Sequence, residues 1–384
     1  MSRQRILFVA SQTGSRSDGG LESSTRIFER LADDYEWSMV TTHETCFTER
    51  WRRRGASVRV VRFDERHCRM ENFARFARWS AVVLRTAIAQ RPGVVHANDL
   101  RAFEAAYPAA RAVRRPILLT QRDTKPEGTV PGRQWHQAAH RCRTIVTLSD
   151  GMGDYLHAHT GVARSRLLTI NSMVDLQRFR PPLPEERSTQ RARLGIAPSD
   201  FVVGCVGSIR DKKNQIEILT RMLPELRRLV PESRLHFFGD YEPAHDDYCR
   251  QFAAVLDEVG LQRMVTMHGH QSDMAGNYQA LDAIVIGSRN EGLARCMIEG
   301  MAVGVPVVSF DVCSAREMLE PTGAGVVVRQ GDHAGLAAAL AALAGDPQRR
   351  SSMGTHGRRT AELRFDPERI AAAFRALYDE ALAA

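Results

Sequence analysis

A chain of 384 residues, 43% apolar and 26% charged, has the composition of an ordinary folded protein and the length for two domains, each with its own core. No apolar run reaches the length of a membrane span, and Met1-Ser2-Arg3-Gln4-Arg5 reads as the lead-in to a strand, not as a signal peptide. Seven scattered cysteines without a C-x-x-C pair argue against a disulfide framework and for reduced thiols in a cytoplasmic protein.

The net charge of +8 is unevenly spread. Residues 1–180 hold 30 Lys/Arg against 18 Asp/Glu, and residues 181–384 hold 23 against 27. Much of the basic excess lies between Trp51 and Arg91, including Arg52, Arg53, Arg54, Arg62, Arg66, Arg69, Arg75, Arg78 and Arg85. Such a field favours an anionic partner: a phospholipid surface, a lipid diphosphate, an acidic saccharide or a nucleic acid. No metal-ligand cluster stands out among the 13 histidines.

In chain order, residues 6–10 form a buried strand, followed by a glycine-bearing loop from Thr13-Gly14 to Gly19-Gly20 and an amphipathic helix over 21–31. Further strands are predicted at 38–42, 58–63, 94–97, 117–120 and 144–148, with helices at 72–89, 100–113, 134–141 and 151–159. This alternation predicts a doubly wound parallel sheet. Within 72–88, Phe73, Phe76, Ser80, Val83 and Ala87 follow helical spacing. Either they face a core and the arginines are solvated, or the basic side, with Trp79, rests on anionic lipid. Arg180-Pro181-Pro182-Leu183-Pro184 reads as an interdomain linker. Alternation then restarts: strand 201–206, helix 215–229, strand 235–238, helix 249–259, strand 265–267, and finally strand 325–328 with helices 335–344 and 367–382.

Two segments of the second half carry chemistry. In Gly207-Ser208-Ile209-Arg210-Asp211-Lys212-Lys213-Asn214, the run from Asn214 to Glu217 has the form of a capping box, so Asn214 is predicted to cap the helix. Lys212 and Lys213 then stand before a positive helix end, which an anion would relieve, although a solvated lysine pair fits the same pattern. From Leu281 to Asp311 the chain reads as strand, polar loop, helix from Leu293, and a strand beginning Val305-Pro306-Val307-Val308. That is a parallel βαβ unit whose loop lies where such sheets bind ligands. Glu291 sits in the loop. Glu299 sits two turns into the helix among apolar neighbours, where a charge needs a partner, and Arg295 four residues earlier is one candidate.

Glu291-Gly292-Leu293-Ala294-Arg295-Cys296-Met297-Ile298-Glu299-Gly300-Met301-Ala302-Val303-Gly304-Val305-Pro306-Val307-Val308 resembles the donor-site signature E-G-x6-E-A-M-A-x-G-x-P-V-V of the retaining GT-B glycosyltransferases of family 4, with Gly300 in the usual alanine position. The resemblance implies two Rossmann-like doubly wound domains with an interdomain cleft: an acceptor domain over 1–180, a nucleotide-sugar domain over 181–364, and a last helix over 365–384 crossing back to the first. It gives Glu299 the donor ribose hydroxyls, Glu291 those of the transferred sugar, and the backbone around Gly292, Leu293, Ala294 and Arg295 the diphosphate. Gly207, Lys213 and Asn214 match the family pattern G-R-x4-K-N, but Ser208 holds the arginine position. Arg210, Arg295 or backbone amides are left to supply that charge, and Gly20 and His270 complete the donor-side candidates.

On the acceptor side, Gly19-Gly20-Leu21-Glu22 resembles the family's G-G-x-E, where a tight turn needs the glycines as much as a close ligand does. His96, in Val94-Val95-His96-Ala97-Asn98-Asp99, either touches the acceptor or orients its loop. Arg122 stands where many members carry a histidine near the sugar. It binds an anionic group or pairs with Asp123. Ser149, Asn171 and Asp175 match further landmarks, the last two as hinge-shaping residues. Lys213, Glu291 and Arg122 are the candidates for a direct part in the reaction.

The reading is therefore a retaining, metal-independent, cofactor-free transferase, working in the cytoplasm or at the inner membrane face. It would move a sugar from a nucleotide donor, UDP-linked by family habit, to a saccharide or lipid-linked acceptor. A nucleotide-sugar epimerase of the same fold and a non-catalytic basic binding module are the rivals, and no nucleic-acid motif supports the latter.

Overall fold

The computed structural model describes residues 3–11, 19–62, 69–124, 129, 131–244, 246–258 and 264–383. Most of the expected glycine-bearing loop, residues 12–18, lies outside these, as do Phe63, Arg66 and Val259. The chain divides into two compact units: Met1–Met173 together with Pro367–Ala384, and Val174–Asp366.

The first unit is built on seven parallel strands: β1 (Arg5–Ala10), β2 (Glu36–Thr41), β3 (Ser57–Val60), β4 (Val94–Ala97), β5 (Ile117–Gln121), β6 (Thr144–Thr147) and β7 (Leu167–Thr169), in the order β3-β2-β1-β4-β5-β6-β7. β1 beyond Arg5, β4 and β5 are buried along their whole length because helices cover both faces of the sheet. The period-2 alternation of β1 sends Ile6, Phe8 and Ala10 into one core and Leu7 and Val9 into the other. The first core is aromatic. Phe28 stacks on Trp51 with ring centroids 4.0 Å apart, and Trp37 and Tyr378 meet edge to face at 5.5 Å. Tyr378 belongs to the last helix, Pro367–Ala383, which returns from the end of the chain to close this core.

The second unit has six parallel strands: β8 (Phe201–Val206), β9 (Ser233–Phe238), β10 (Val265–Met267), β11 (Ala283–Ile286), β12 (Val307–Phe310) and β13 (Gly325–Val328), in the order β10-β9-β8-β11-β12-β13. In each sheet the order reverses beside the first strand, between β1 and β4 and between β8 and β11. The C-terminal ends of those strands are where an open α/β sheet leaves a crevice.

Several elements depart from the sequence expectation. The linker proline Pro184 opens a helix, Pro184–Arg193, and the units part at residue 173, not 180. Helices Cys46–Arg53 and Pro347–Arg364 were not foreseen. The predicted helix over 215–229 contains a π-helical turn at Ile218–Met222. The strand expected to begin at Val305 starts at Val307. In the helix Arg69–Gln90, Trp79 is fully buried and Phe73 is 73% exposed, so the aromatic anchor of the lipid reading lies inside the core and Phe73 leaves it. Trp51, read as part of a basic run, is buried as well and donates from Nε1 to Thr25. The arginines beside it are partly neutralised: Arg50 bridges Glu22 and Glu29 at 2.6 and 2.8 Å. No helix among the described residues is long and apolar enough to cross a membrane.

Candidate functional site

The most developed constellation stands where β8 and β11 end. After β8 the chain turns through Gly207, whose φ of +143° favours glycine, and after β9 through Gly239, with φ of +147°. A Cβ on Gly239 would lie 2.4 Å from the carbonyl carbon and oxygen of Gly207, so the two turns touch backbone to backbone. The Lys213 stem lies over Gly207, its Cε 3.2 Å from where a Cβ would stand. The missing side chain makes room for the lysine.

Lys213 ends a short 3-10 turn, Asp211–Lys213, and its Nζ is 2.7 Å from Glu291 Oε1. Lys212 approaches the other oxygen at 3.9 Å. Burial opposes the ammonium of Lys213, but Glu291 outweighs it and raises the pKa above the usual lysine value. Burial likewise opposes the carboxylate of Glu291, yet Lys213, Lys212 and a hydrogen bond from Ser288 hold it below the ordinary range. Both groups are therefore charged near neutrality, and the anion facing the lysines in this structure is Glu291 itself.

Asn214 does not cap the following helix. Its backbone is left-handed, with φ of +61°, it makes no side-chain cap hydrogen bond, and its buried Oδ1 has no hydrogen-bond partner among the described residues. Gln215 takes over the turn instead: its Nε2 donates to the Ser208 carbonyl, and its Oε1 accepts from the Arg210 amide. Ser208 Oγ donates to Asp240 at 3.4 Å, and His270 Nδ1 lies 3.4 Å from the other oxygen of Asp240. Of the two residues offered to replace the family arginine, Arg210 is exposed and Arg295 is engaged elsewhere.

The helix of the signature runs over Arg295–Val303, two residues later than expected, with Ala294 before it and Gly292, Leu293 and Ala294 all buried. Gly300 packs on β11, where Ile284 Cδ1 occupies the space of an alanine methyl. Arg295 Nη2 donates to Glu299 Oε1 at 2.6 Å, and the buried Tyr278 hydroxyl donates to Oε2 at 3.1 Å. The plain ion pair is thus formed, and each carboxylate oxygen of Glu299 keeps a further lone pair for a ligand hydroxyl. Cys296 lies between the two ion pairs. Burial pushes its thiol up to about 11, with Lys213, Glu291 and Glu299 all acting on it.

In the first unit, Gly19 and Gly20 open the helix Gly19–Leu31 and do not form a loop before it. Arg122 stands at the end of β5. Its Nη2 donates to Ser24 Oγ at 2.5 Å and to Asn98 Oδ1 at 2.6 Å, and Ser24 Oγ also donates to Asn98 Oδ1 at 2.6 Å. Ser24 in turn reaches the Gly20 carbonyl at 3.2 Å, so Gly20, Ser24, Asn98 and Arg122 form one polar cluster beyond β1, β4 and β5.

His96 lies beneath this cluster, with both nitrogens occupied. Nδ1 is 2.7 Å from Tyr378 Oη, and Nε2 is 2.8 Å from Thr120 Oγ1. Burial, with Arg122 adding to it, lowers its pKa to about 3, so the ring is neutral. Ser149 is buried and caps the helix Asp150–Thr160, accepting from the Met152 amide. Asn171 Nδ2 holds the Leu148 carbonyl, and Asp175 closes a turn with the amides of Gln177 and Arg178. Sequence reading missed Ser24, Asp240, Tyr278 and Gly239. Of these, Phe237-Phe238-Gly239-Asp240 repeats the strand-then-glycine pattern that had marked Gly207. Among the described residues no group of three or more His, Cys, Asp or Glu could hold a metal ion.

Comparison with known proteins agrees with this architecture. A family model described as Glycosyltransferase Family 4 matches residues 27–178, and one described as Glycosyl transferases group 1 matches residues 200–346. The chain is 30% identical over 265 residues to the D-inositol 3-phosphate glycosyltransferase of Kineococcus radiotolerans, covering 65% of this chain and 60% of that protein. It is 28% identical over 243 residues to the lipopolysaccharide core biosynthesis mannosyltransferase LpcC of Rhizobium leguminosarum bv. viciae, covering 63% and 66%. The matches thus span less than two thirds of either relative. Among solved structures, HepE of Anabaena in complex with UDP-glucose superimposes with a TM-score of 0.84 at 21% identity, over 98% of this chain and 100% of that one. Two Rossmann-like parallel-sheet units of this kind are the GT-B architecture, and the chain belongs to the group 1, family 4 glycosyltransferases.

Proposed function

We propose that this protein transfers a sugar, with retention of anomeric configuration and without a metal, from a uridine diphosphate sugar to a hydroxyl of a saccharide or lipid-linked acceptor. The observation that carries the proposal is the half-buried Lys213 ammonium beside the glycine turn at Gly207, with Glu291 against it. As the bond between the anomeric carbon and the diphosphate oxygen breaks, the sugar becomes oxocarbenium-like and negative charge grows on the diphosphate. Lys213 and the backbone amides around Gly292–Arg295 are suited to stabilise that charge, usually the largest catalytic contribution. The departing phosphate oxygen takes the proton of the acceptor hydroxyl, and that hydroxyl oxygen forms the new bond on the same face. In this reading Glu299, held by Arg295 and Tyr278, accepts the ribose hydroxyls, and Glu291 accepts a hydroxyl of the sugar. The acceptor falls to the first unit, near Arg122.

The UDP-glucose complex of HepE supports a uridine diphosphate sugar donor, and the lipopolysaccharide core mannosyltransferase LpcC supports a saccharide acceptor in cell-surface polysaccharide synthesis. A cytoplasmic setting is part of the same proposal. The test is a thermal-shift series with UDP, GDP and ADP, followed by product analysis with labelled UDP-glucose in the presence of EDTA. A ligand at one hundred times its Kd stabilises by about 2.7 kcal/mol, a rise of roughly 5–10 °C for units of this size. UDP is expected to give the largest rise. No rise with any nucleoside diphosphate would overturn the proposal, and isomerised donor without transfer would make the protein an epimerase.

A further inference from the structure

At the N-terminal ends of β5 and β6, on the far edge of the first sheet from Gly20, Asn98 and Arg122, a concave cleft of about 880 Å³ opens. Its volume is that of a small-molecule site. Six arginines line it: Arg111, Arg114, Arg115, Arg141, Arg143 and Arg166. Glu380 is the one carboxylate among the described lining residues, and it sits 3.6 Å from Arg143. Arg111, Arg114 and Arg115 are exposed and form no ion pair among the described residues.

Two features hold the cationic groups in place. Arg141 lies over the Tyr107 ring, 4.9 Å from its centroid, and Arg166 Nη1 donates to the His140 carbonyl at 3.0 Å. The helix Leu100–Ala112 ends in a double turn, with the Arg115 amide bonded to the Ala110 carbonyl and the Arg114 amide to that of Arg111. That turn puts Arg114 at φ of +52°, the position normally given to glycine. The carbonyl ends of this helix and of Arg133–Arg141 favour cations, which accounts for Arg111 and Arg141 in their last turns. It does not account for Arg143, which precedes β6, or Arg166, which precedes β7, or for an arginine held in a strained backbone position.

We propose that this cleft is a second anion site, separate from the transferase site, that takes a ligand bearing two or more clustered phosphate groups. Guanidinium forks match phosphate oxygens in pairs, and a compact polyanion relieves the mutual repulsion of the six arginines. The charge surrounds a cavity and does not run as a stripe with stacking aromatics, so a nucleic-acid strand is the poorer fit. The phosphates reach the cleft either on a free molecule or on a lipid head group.

The test titrates the full chain, with saturating UDP to fill the donor site, with inositol hexakisphosphate at physiological ionic strength. A second arm uses phosphatidylcholine vesicles doped with phosphatidate. Arg111→Ser/Arg115→Ser/Arg166→Ser is expected to weaken hexakisphosphate binding roughly tenfold or more, given the strength of charge-assisted contacts. Arg53→Ser/Arg78→Ser/Arg85→Ser, which removes equal charge elsewhere, should change it less than about twofold. Should the first triple variant unfold, Arg115→Glu alone carries the same direction on an exposed side chain. Cleft-dependent binding to the free phosphate or to the vesicles supports the site and names its source. Equal losses in both triples, tighter binding to duplex DNA than to hexakisphosphate, or no binding in either arm would overturn it.

Discussion

Replacing Lys213 by alanine separates what the lysine does for the fold from what it does for the reaction. At 2.7 Å from Glu291, in surroundings of effective dielectric near 20, the pair has a gross attraction of about 6 kcal/mol. Much of this offsets the desolvation of the two groups, and removing one partner of a buried pair typically costs about 3–5 kcal/mol. Lys213→Ala leaves the Glu291 carboxylate buried beside only the distant Lys212, so a stability loss of about 3 kcal/mol is expected. Without the lysine, burial raises the Glu291 pKa above its unfolded value. The native state then binds the extra proton, and the stability deficit shrinks as pH falls through that raised pKa. Lys213→Ala/Glu291→Gln removes the orphaned charge and should recover most of the stability. Turnover should fall by about 10²–10³ in the single variant and stay low in the double. Urea denaturation from pH 5 to 8, alongside single-turnover transfer assays, reads both quantities. Full transferase activity in Lys213→Ala, or activity restored together with stability in the double variant, would refute the reasoning.

His96 is protonated in the unfolded chain near pH 6.5 but in the folded one only near 3, so the unfolded state binds the extra proton between those values and acid destabilises the native state. Relative to His96→Gln, the wild type should lose about 2 kcal/mol between pH 7 and pH 5. Trp37, Trp51, Trp79 and Trp135 are the four tryptophans of the chain and all belong to the first unit, so their fluorescence in urea reports on it, and parallel pH slopes would sink the assignment. Gly239→Ala forces a methyl to within 2.4 Å of Gly207 backbone atoms at a φ of +147°, which should destabilise the second unit by roughly 2–4 kcal/mol. The same substitution should weaken UDP binding measurably by calorimetry, and unchanged affinity would separate that turn from the donor site.

Most of both sheets was legible because buried parallel strands announce themselves, while the three-residue edge strand Leu167–Thr169, only partly buried, was not foreseen. Ile6–Ala10, Phe201–Val206 and Ala283–Ile286 are apolar without interruption and alternate with amphipathic helices. Pro184–Arg193 and Pro347–Arg364 escaped notice because they carry almost no apolar stripe. The first is held by Arg187 and Arg191 on Asp282, the second by Gly354 lying directly against the Gly304 carbonyl, and neither contact has a periodic signature. Asn214 misled because its side chain suits both a helix cap and a left-handed turn, and the backbone takes the second. The sequence left His96 between touching the acceptor and orienting its loop, because Tyr378, which meets its Nδ1, stands 282 positions away. The Glu291 and Glu299 spacing marked the helix Arg295–Val303, but whether each carboxylate arrives free or already paired depends on Lys213 and Tyr278 from other elements.

The division of the chain bears on the order in which it is made. The second unit is an uninterrupted segment, whereas the first is assembled from a long opening stretch and the closing eighteen positions, Pro367–Ala384. A ribosome therefore finishes the whole of the later unit before it supplies Phe374, Leu377 and Tyr378 to the earlier one. Until then the aromatic floor formed by Tyr35 and Trp37 lacks its cover, and the ring of His96 lacks one of its two anchors. A nascent polypeptide halted at Asp366 would carry a complete second unit and a first unit that has no lid on its core.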